Sequence, residues 1–61
     1  MAAAQIYTVQ GQMAYQLGNS RALVSRGGCK LFQKKEGGVW RNGRHSYALD
    51  LIEKVKAALA N

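Results

Sequence analysis

The C-terminal quarter of the chain has the most regular pattern of apolar positions. Apolar side chains recur there at spacings of three and four residues, at Ala48, Leu51, Ile52, Val55 and Leu59. This spacing places them along one side of an α-helix. Ser46 precedes them and is a suitable N-cap residue. The pattern predicts an amphipathic helix over about residues 46–60 whose apolar side packs in the core.

A β-hairpin is predicted just before this helix. The pair Gly37-Gly38 separates two short stretches of β-favouring residues, which include Leu31, Phe32, Val39 and Trp40. Adjacent glycines supply the positive φ angles that a tight turn requires. We therefore expect a hairpin over about residues 29–42.

The N-terminal third of the chain fits two different patterns. With a period of two, as in a strand, one face consists of Tyr7, Val9, Gly11, Met13, Tyr15 and Leu17. With the helical period, Val9, Met13 and Leu17 share one side, and Gly18 follows as a natural helix stop. Periodicity alone leaves both a strand and a helix open for residues 7–17.

The chain is strongly basic, and the positive charge is concentrated in its middle. The net charge is +6, yet residues 1–20 carry no charged side chain, and residues 45–61 balance two acids with two lysines. Between positions 21 and 44, Glu36 is the only acid against Arg21, Arg26, Lys30, Lys34, Lys35, Arg41 and Arg44. Segregated positive charge is typical of surfaces that bind nucleic-acid phosphates.

The composition argues against several other functions. One cysteine, Cys29, and one histidine, His45, allow no intrachain disulfide and offer too few ligands for zinc. The three acids are separated by basic segments and give no paired carboxylates for catalysis. We therefore expect no enzyme activity, no cofactor, no metal and no small-molecule substrate.

Length and hydropathy predict one small domain without a membrane partner. With 61 residues the core is thin, so we expect a homodimer that buries additional apolar surface. No apolar run approaches the ~20 residues of a membrane span, and residues 1–4 lack the features of a signal peptide. These observations predict a cytoplasmic protein.

Residues 10–26 resemble the helix-turn-helix of phage repressors and excisionases. They read Gln-Gly-Gln-Met-Ala-Tyr-Gln-Leu-Gly-Asn-Ser-Arg-Ala-Leu-Val-Ser-Arg. A helix-turn-helix needs a small residue where its helices touch and a glycine at the turn, and Ala14 and Gly18 stand in these places. Residues 28–32 and 36–40 are similar to the strand and hairpin of the Cro repressors of lambdoid phages. Residues 43–51 are similar to winged excisionase and MerR-like domains.

The resemblance implies a fold and a function. The fold is α+β, a small winged helix-turn-helix-like domain with an N-terminal arm or strand, two helices over 10–26, the hairpin and the C-terminal amphipathic helix. The arm or strand takes the place of the family's first helix, for which residues 1–9 leave no room. The implied function is a transcriptional regulator of phage or prophage type that binds double-stranded DNA sequence-specifically. Such a protein acts in the bacterial host cytoplasm or nucleoid.

The resemblance also assigns DNA-binding residues. The second helix, Ser20 to Arg26, would enter the major groove, where Arg21 reads guanine through two hydrogen bonds. Ser20, Ala22 and Ser25 match positions that face bases, and Arg26 would reach a base or a phosphate. Gln10 and Gln12 would donate to phosphates. Sequence-independent attraction would come from Lys30, Lys34, Lys35, Arg41 and Arg44.

One alternative remains open, and it depends on residues 7–17. If these residues form strand, the chain is a β-rich small module of phage type that binds RNA or inhibits a protein partner. Roughly half helix would favour the DNA regulator, whereas dominant strand with only the C-terminal helix would favour the β-rich module. In either case we expect Phe32 and Trp40 in the core and Cys29 as a small buried residue.

Overall fold

The computed structural model describes residues 3–60, which form five β-strands followed by one α-helix. The elements are β1 (Ala4–Val9), β2 (Gln12–Leu17), β3 (Ser20–Val24), β4 (Lys30–Glu36), β5 (Val39–Asn42) and α1 (Ser46–Ala60). Of the described residues, 48% are in strands and 26% are in the helix. Strand therefore dominates, and the helix is the C-terminal one.

The five strands form a single antiparallel sheet in which each strand pairs with the next one along the chain. Two-residue turns join β1 to β2, β2 to β3 and β4 to β5. The glycines with positive φ in these turns are Gly11, Gly18, Gly37 and Gly38. Positive φ angles match the twist of the flanking strands, so these turns fix the register of each hairpin.

Helix α1 lies on one face of the sheet and contacts strands β1 to β4. The buried helix residues Ala48, Leu51, Ile52 and Val55 pack against Ala22 of β3 and Phe32 of β4. Helix residues at spacings of three and four and alternate residues of the strands thus form one apolar core. Val55 is completely buried at its centre.

The connection from β5 to α1 passes close to this core at Gly43. The N–H of Gly43 donates to the carbonyl of Phe32 over 2.8 Å. A Cβ atom on Gly43 would lie 2.8 Å from Cδ2 of the Phe32 ring, which is closer than real Cβ atoms approach. Tyr47 also meets the Phe32 ring edge-to-face, with centroids 5.5 Å apart. Only glycine lets the backbone cross the ring without displacing it.

The helix-turn-helix expected for residues 10–26 is wrong. These residues form the β1–β2 turn, strand β2, strand β3 and the beginning of the β3–β4 connection. Residues 7–17 are strand on either side of a turn at Gln10 and Gly11, both with positive φ. The single face expected from a period of two is not formed, because the turn puts Tyr7 on the opposite face from Tyr15. Gly18, expected to stop a helix, instead begins the β2–β3 turn. The winged helix-turn-helix fold is therefore replaced by a five-stranded sheet with one helix.

Three other elements lie where the sequence places them. The hairpin of β4 and β5 falls within residues 29–42, and α1 spans residues 46–60. Strand β1 takes the place of the expected N-terminal arm or strand, although residues 1 and 2 lie outside the described part of the chain. Among residues 3–60, no helix has the length and apolar character needed to cross a membrane.

Gly43→Ala should destabilise the fold. The added methyl group forces the buried Phe32 ring to shift, and overpacking of this kind costs about 1 to 3 kcal/mol of the free energy of unfolding. Gly27→Ala is the matched control, because no atom lies within 4 Å of its Cβ position. Urea unfolding compares the two variants. Equal free energies of unfolding would contradict the close contact at Gly43.

Candidate functional site

The sheet face opposite α1 is covered by no other element of residues 3–60, and we call it the open face. Ala22 and Phe32 pack under α1. Because side chains alternate along a strand, the residues on either side of them in β3 and β4 point to the open face. The strand register then assigns the polar and aromatic residues of this face, which are Gln5, Tyr7, Gln12, Gln16, Arg21, Gln33, Lys35, Trp40 and Asn42.

A chain of side-chain hydrogen bonds crosses the open face from β1 to β5. Tyr7 donates its hydroxyl to Gln16 Oε1 and accepts a long hydrogen bond of 3.5 Å from Arg21 Nη1. Arg21 Nε donates to Gln33 Oε1 at 2.7 Å, and Gln33 Nε2 donates to Asn42 Oδ1 at 3.0 Å. We call these five residues, one from each strand, the polar row. Its hydrogen bonds hold each side chain in a defined position.

Arg21 occupies the centre of the polar row and also stacks on Trp40. The guanidinium carbon lies 4.3 Å from the centroid of the Trp40 ring. Lys35 approaches the same ring, with its Nζ 5.9 Å from the centroid. Cation–π contacts of this type contribute about 0.5 to 2 kcal/mol each. Arg21 is therefore held by groups from β1, β4 and β5, and its planar guanidinium is oriented before any ligand arrives.

The open face carries positive charge and no acidic side chain. Asp50 and Glu53 lie on α1, and Glu36 alternates to the helix side of β4. Glu36 lies 3.7 Å from Arg41 in an ion pair whose two side chains are mostly exposed. Among residues 3–60, no carboxylate therefore lies beside Arg21 or Lys35 on the open face. Their charges are available to an anionic ligand.

A row of apolar residues lies beside the polar row on the same face. In the register, Ala14 of β2 lies next to Leu23 of β3, and Leu23 lies next to Leu31 of β4. Ala14 is completely buried and Leu23 is 6% exposed, although no helix covers them. Surrounding side chains of the open face provide this burial. The face is thus a packed surface with polar groups at defined positions.

The structure divides the expected DNA-binding residues between the two sides of the sheet. Arg21, Gln12 and Lys35 lie on the open face. Ser20, Lys30, Lys34 and Arg41 alternate to the helix side. Gln10 lies in the β1–β2 turn, Ser25 and Arg26 lie in the β3–β4 connection, and Arg44 precedes α1. The expected set therefore forms no single surface.

Two of the base-facing positions have a structural role instead. Ala22 is completely buried under α1, so it is not accessible to a base. Ser25 closes the β3–β4 connection, because its N–H donates to the Cys29 carbonyl at 2.9 Å and its Oγ accepts from the Cys29 N–H at 3.1 Å. The assignment of both residues to a recognition helix is corrected by this geometry.

Several residues of the open face escaped the sequence analysis. Tyr7, Gln16, Gln33 and Asn42 were not singled out, and Trp40 was expected in the core. Phe32 is buried as expected, whereas Trp40 is half-buried on the open face. Cys29 was expected to be buried and is exposed. A period of two over residues 7–17 groups Tyr7 with Tyr15 and Leu17, whereas the turn at residues 10 and 11 puts Tyr7 on the same face as Gln16.

The open face combines three kinds of chemical group. It offers cations for an anion, an aromatic ring and a guanidinium plane for stacking, and amides for hydrogen bonds to polar edges. The chain matches no protein-family model, and comparisons with curated proteins and with solved structures found no significant similarity. Its function is therefore argued from these groups and their geometry.

Arg21→Ala should expose the Trp40 ring to solvent. The guanidinium covers the ring at 4.3 Å, so its removal should raise the Stern–Volmer constant for acrylamide quenching of the single tryptophan. Arg26→Ala removes the same charge from the exposed β3–β4 connection and serves as the control. Quenching that is identical in wild type and Arg21→Ala would contradict the stacked arrangement.

Proposed function

We propose that this chain binds single-stranded nucleic acid through its open face. The observation that carries the proposal is the position of Arg21. Its guanidinium is fixed by Gln33 and stacked on Trp40, and no carboxylate of the described residues lies beside it on the open face. A cation that is oriented and unpaired is suited to a phosphate or a base rather than to structural charge balance.

The other groups of the open face suit the remaining parts of a nucleotide. Proteins bind unpaired bases by stacking them on aromatic rings or on arginine planes, and by hydrogen bonds to their exposed edges. Tyr7 and the Arg21 guanidinium, which lies over the Trp40 ring, provide planar surfaces. Gln12, Gln33 and Asn42 provide amides that both donate and accept. Lys35, beside Trp40, adds a second positive charge for the backbone.

The width of the sheet favours a single strand over a duplex. Five strands at a spacing of about 4.8 Å extend about 19 Å from β1 to β5. The major groove of DNA is about 12 Å wide and admits an α-helix or a two-stranded ribbon. A sheet face of this width fits a flexible strand lying across it. The duplex-DNA regulator expected from the sequence relied on a recognition helix at residues 20–26, where the chain has strand β3.

The cations outside the open face attract nucleic acid electrostatically, without sequence specificity. The net charge of +6 includes Lys30, Lys34, Arg26 and Arg44, which are exposed. Their field raises the local concentration of a polyanion and makes its binding dependent on salt. We also propose that the protein acts in a reducing compartment such as the cytoplasm, because Cys29 is exposed as a free thiol.

Arg21→Ala should weaken binding of a single-stranded RNA of about ten nucleotides, a length typical for one small domain. The loss should be about 1 to 3 kcal/mol, because both the cation and the stacking plane disappear. Fluorescence anisotropy with labelled single-stranded RNA, single-stranded DNA and duplex DNA measures this. Wild type should prefer the single strands. Preference for the duplex, or an unchanged affinity in Arg21→Ala, would contradict the proposal.

Substituting each of two lysines in turn distinguishes a direct phosphate contact from the effect of net charge. Lys35 lies 5.9 Å from the Trp40 centroid on the open face, and Lys56 lies 5.8 Å from the Tyr15 centroid on the helix side. Lys35→Ala should lower the slope of log affinity against log salt by about 0.7, the value for one phosphate contact on a single strand. Lys56→Ala should leave the slope unchanged. Equal effects of the two substitutions would show that net charge alone drives binding.

A further inference from the structure

The sheet has two edges, β1 and β5, and the hydrogen-bonding groups of β1 that face outward can be identified. The N–H of Gly18 donates to the carbonyl of Ala3 at 3.3 Å, so the backbone groups of Ala3 point to β2. Because this direction alternates along an antiparallel strand, Ala4, Ile6 and Thr8 present their N–H and C=O groups outward. Among the described strands, none pairs with this edge.

The two edges differ in how they are protected against pairing. Natural edge strands usually carry charged residues or proline that prevent association with another strand. Strand β5 includes Arg41, and Lys35 of the neighbouring strand β4 lies opposite Trp40 of β5. Strand β1 and its neighbour β2 contain no charged residue and no proline. Ile6, whose side chain lies on the helix side of β1, is 41% exposed.

We propose that β1 pairs with β1 of a second copy of this chain, antiparallel and centred on Ile6. In this register Ile6 meets Ile6 of the second copy, and Ala4 meets Thr8 at either end. All outward N–H and C=O groups of β1 are then satisfied by exchange between facing residues. The two-fold axis is perpendicular to the sheet, so one continuous sheet of ten strands is formed.

The distribution of charge selects this edge for self-association. Two copies of a chain with a net charge of +6 repel each other, and contact is least unfavourable where charge is absent. Pairing through β5 would bring the two copies of Arg41 together. Pairing through β1 brings together only uncharged residues, and it buries the exposed surface of Ile6.

The pairing has a consequence that rests on the proposed function. A perpendicular two-fold axis keeps both open faces on the same side of the continuous sheet. The two polar rows, each of which ends at Tyr7 on β1, then lie end to end. A single strand of nucleic acid longer than one open face would contact both copies, and such linkage raises the apparent affinity.

Analytical ultracentrifugation of the full chain without nucleic acid tests the dimer independently of binding. Wild type should sediment as a dimer at micromolar concentration. Ile6→Lys should halve the mass to the 6.7 kDa of one chain, because two lysines would face each other. Val39→Lys is the matched control, since Val39 is an exposed apolar residue on the same side of the other edge strand. It should remain dimeric.

Ile6→Pro keeps the test decisive if lysine disturbs the fold. Proline at position 6 removes an outward N–H without removing a hydrogen bond to β2, and circular dichroism verifies that the variant is folded. It should also be monomeric. A monomeric wild type at high micromolar concentration, or a folded Ile6→Pro that remains dimeric, would overturn the pairing. RNA binding by a monomeric wild type, measured by anisotropy with a short oligonucleotide, would support the proposed function although the pairing had failed.

Discussion

The fold depends on one constraint, which is that a single helix covers only one face of a five-stranded sheet. Helix α1 has 15 residues and therefore extends about 22 Å, enough to cross strands β4 to β1 on one side. Its buried residues satisfy that side through Ala22 and Phe32. No second layer of residues 3–60 covers the opposite side. The side chains of that side must therefore shield the sheet backbone from solvent. The open face is a direct consequence of this arrangement.

The open face meets this requirement with a polar row and an apolar row that lie side by side. Ala14 and Leu23 are buried by their neighbours, and side chains of the polar row beside them are joined by hydrogen bonds from Tyr7 to Asn42. Trp40 is stabilised there by Arg21 rather than by the core. The groups that stabilise the face without a covering layer are therefore the groups that a nucleotide would contact. Structure and proposed function use the same side chains.

The elements with strong local signals could be predicted from the sequence, and the sheet could not. The spacing of Ala48, Leu51 and Val55 has only one interpretation, and the pair Gly37-Gly38 allows a tight turn. Residues 7–17 fit both periods, and their outcome depends on pairing with residues 20–24, which lie outside that window. The residues of the site likewise could be predicted only in part. Arg21 and Lys35 were identified by charge, whereas Gln33, Asn42 and Trp40 join them only through the register of neighbouring strands.

The central claim is that the open face, and not the helix side, binds the ligand. Nuclear magnetic resonance of the 15N-labelled chain, titrated with a short single-stranded RNA, tests it residue by residue. We predict the largest chemical-shift changes at the indole N–H of Trp40, the side-chain Nε of Arg21 and the amide of Gln33. The buried helix residues Leu51, Ile52 and Val55 should change little. Changes concentrated on α1, with the Trp40 indole unaffected, would contradict the account.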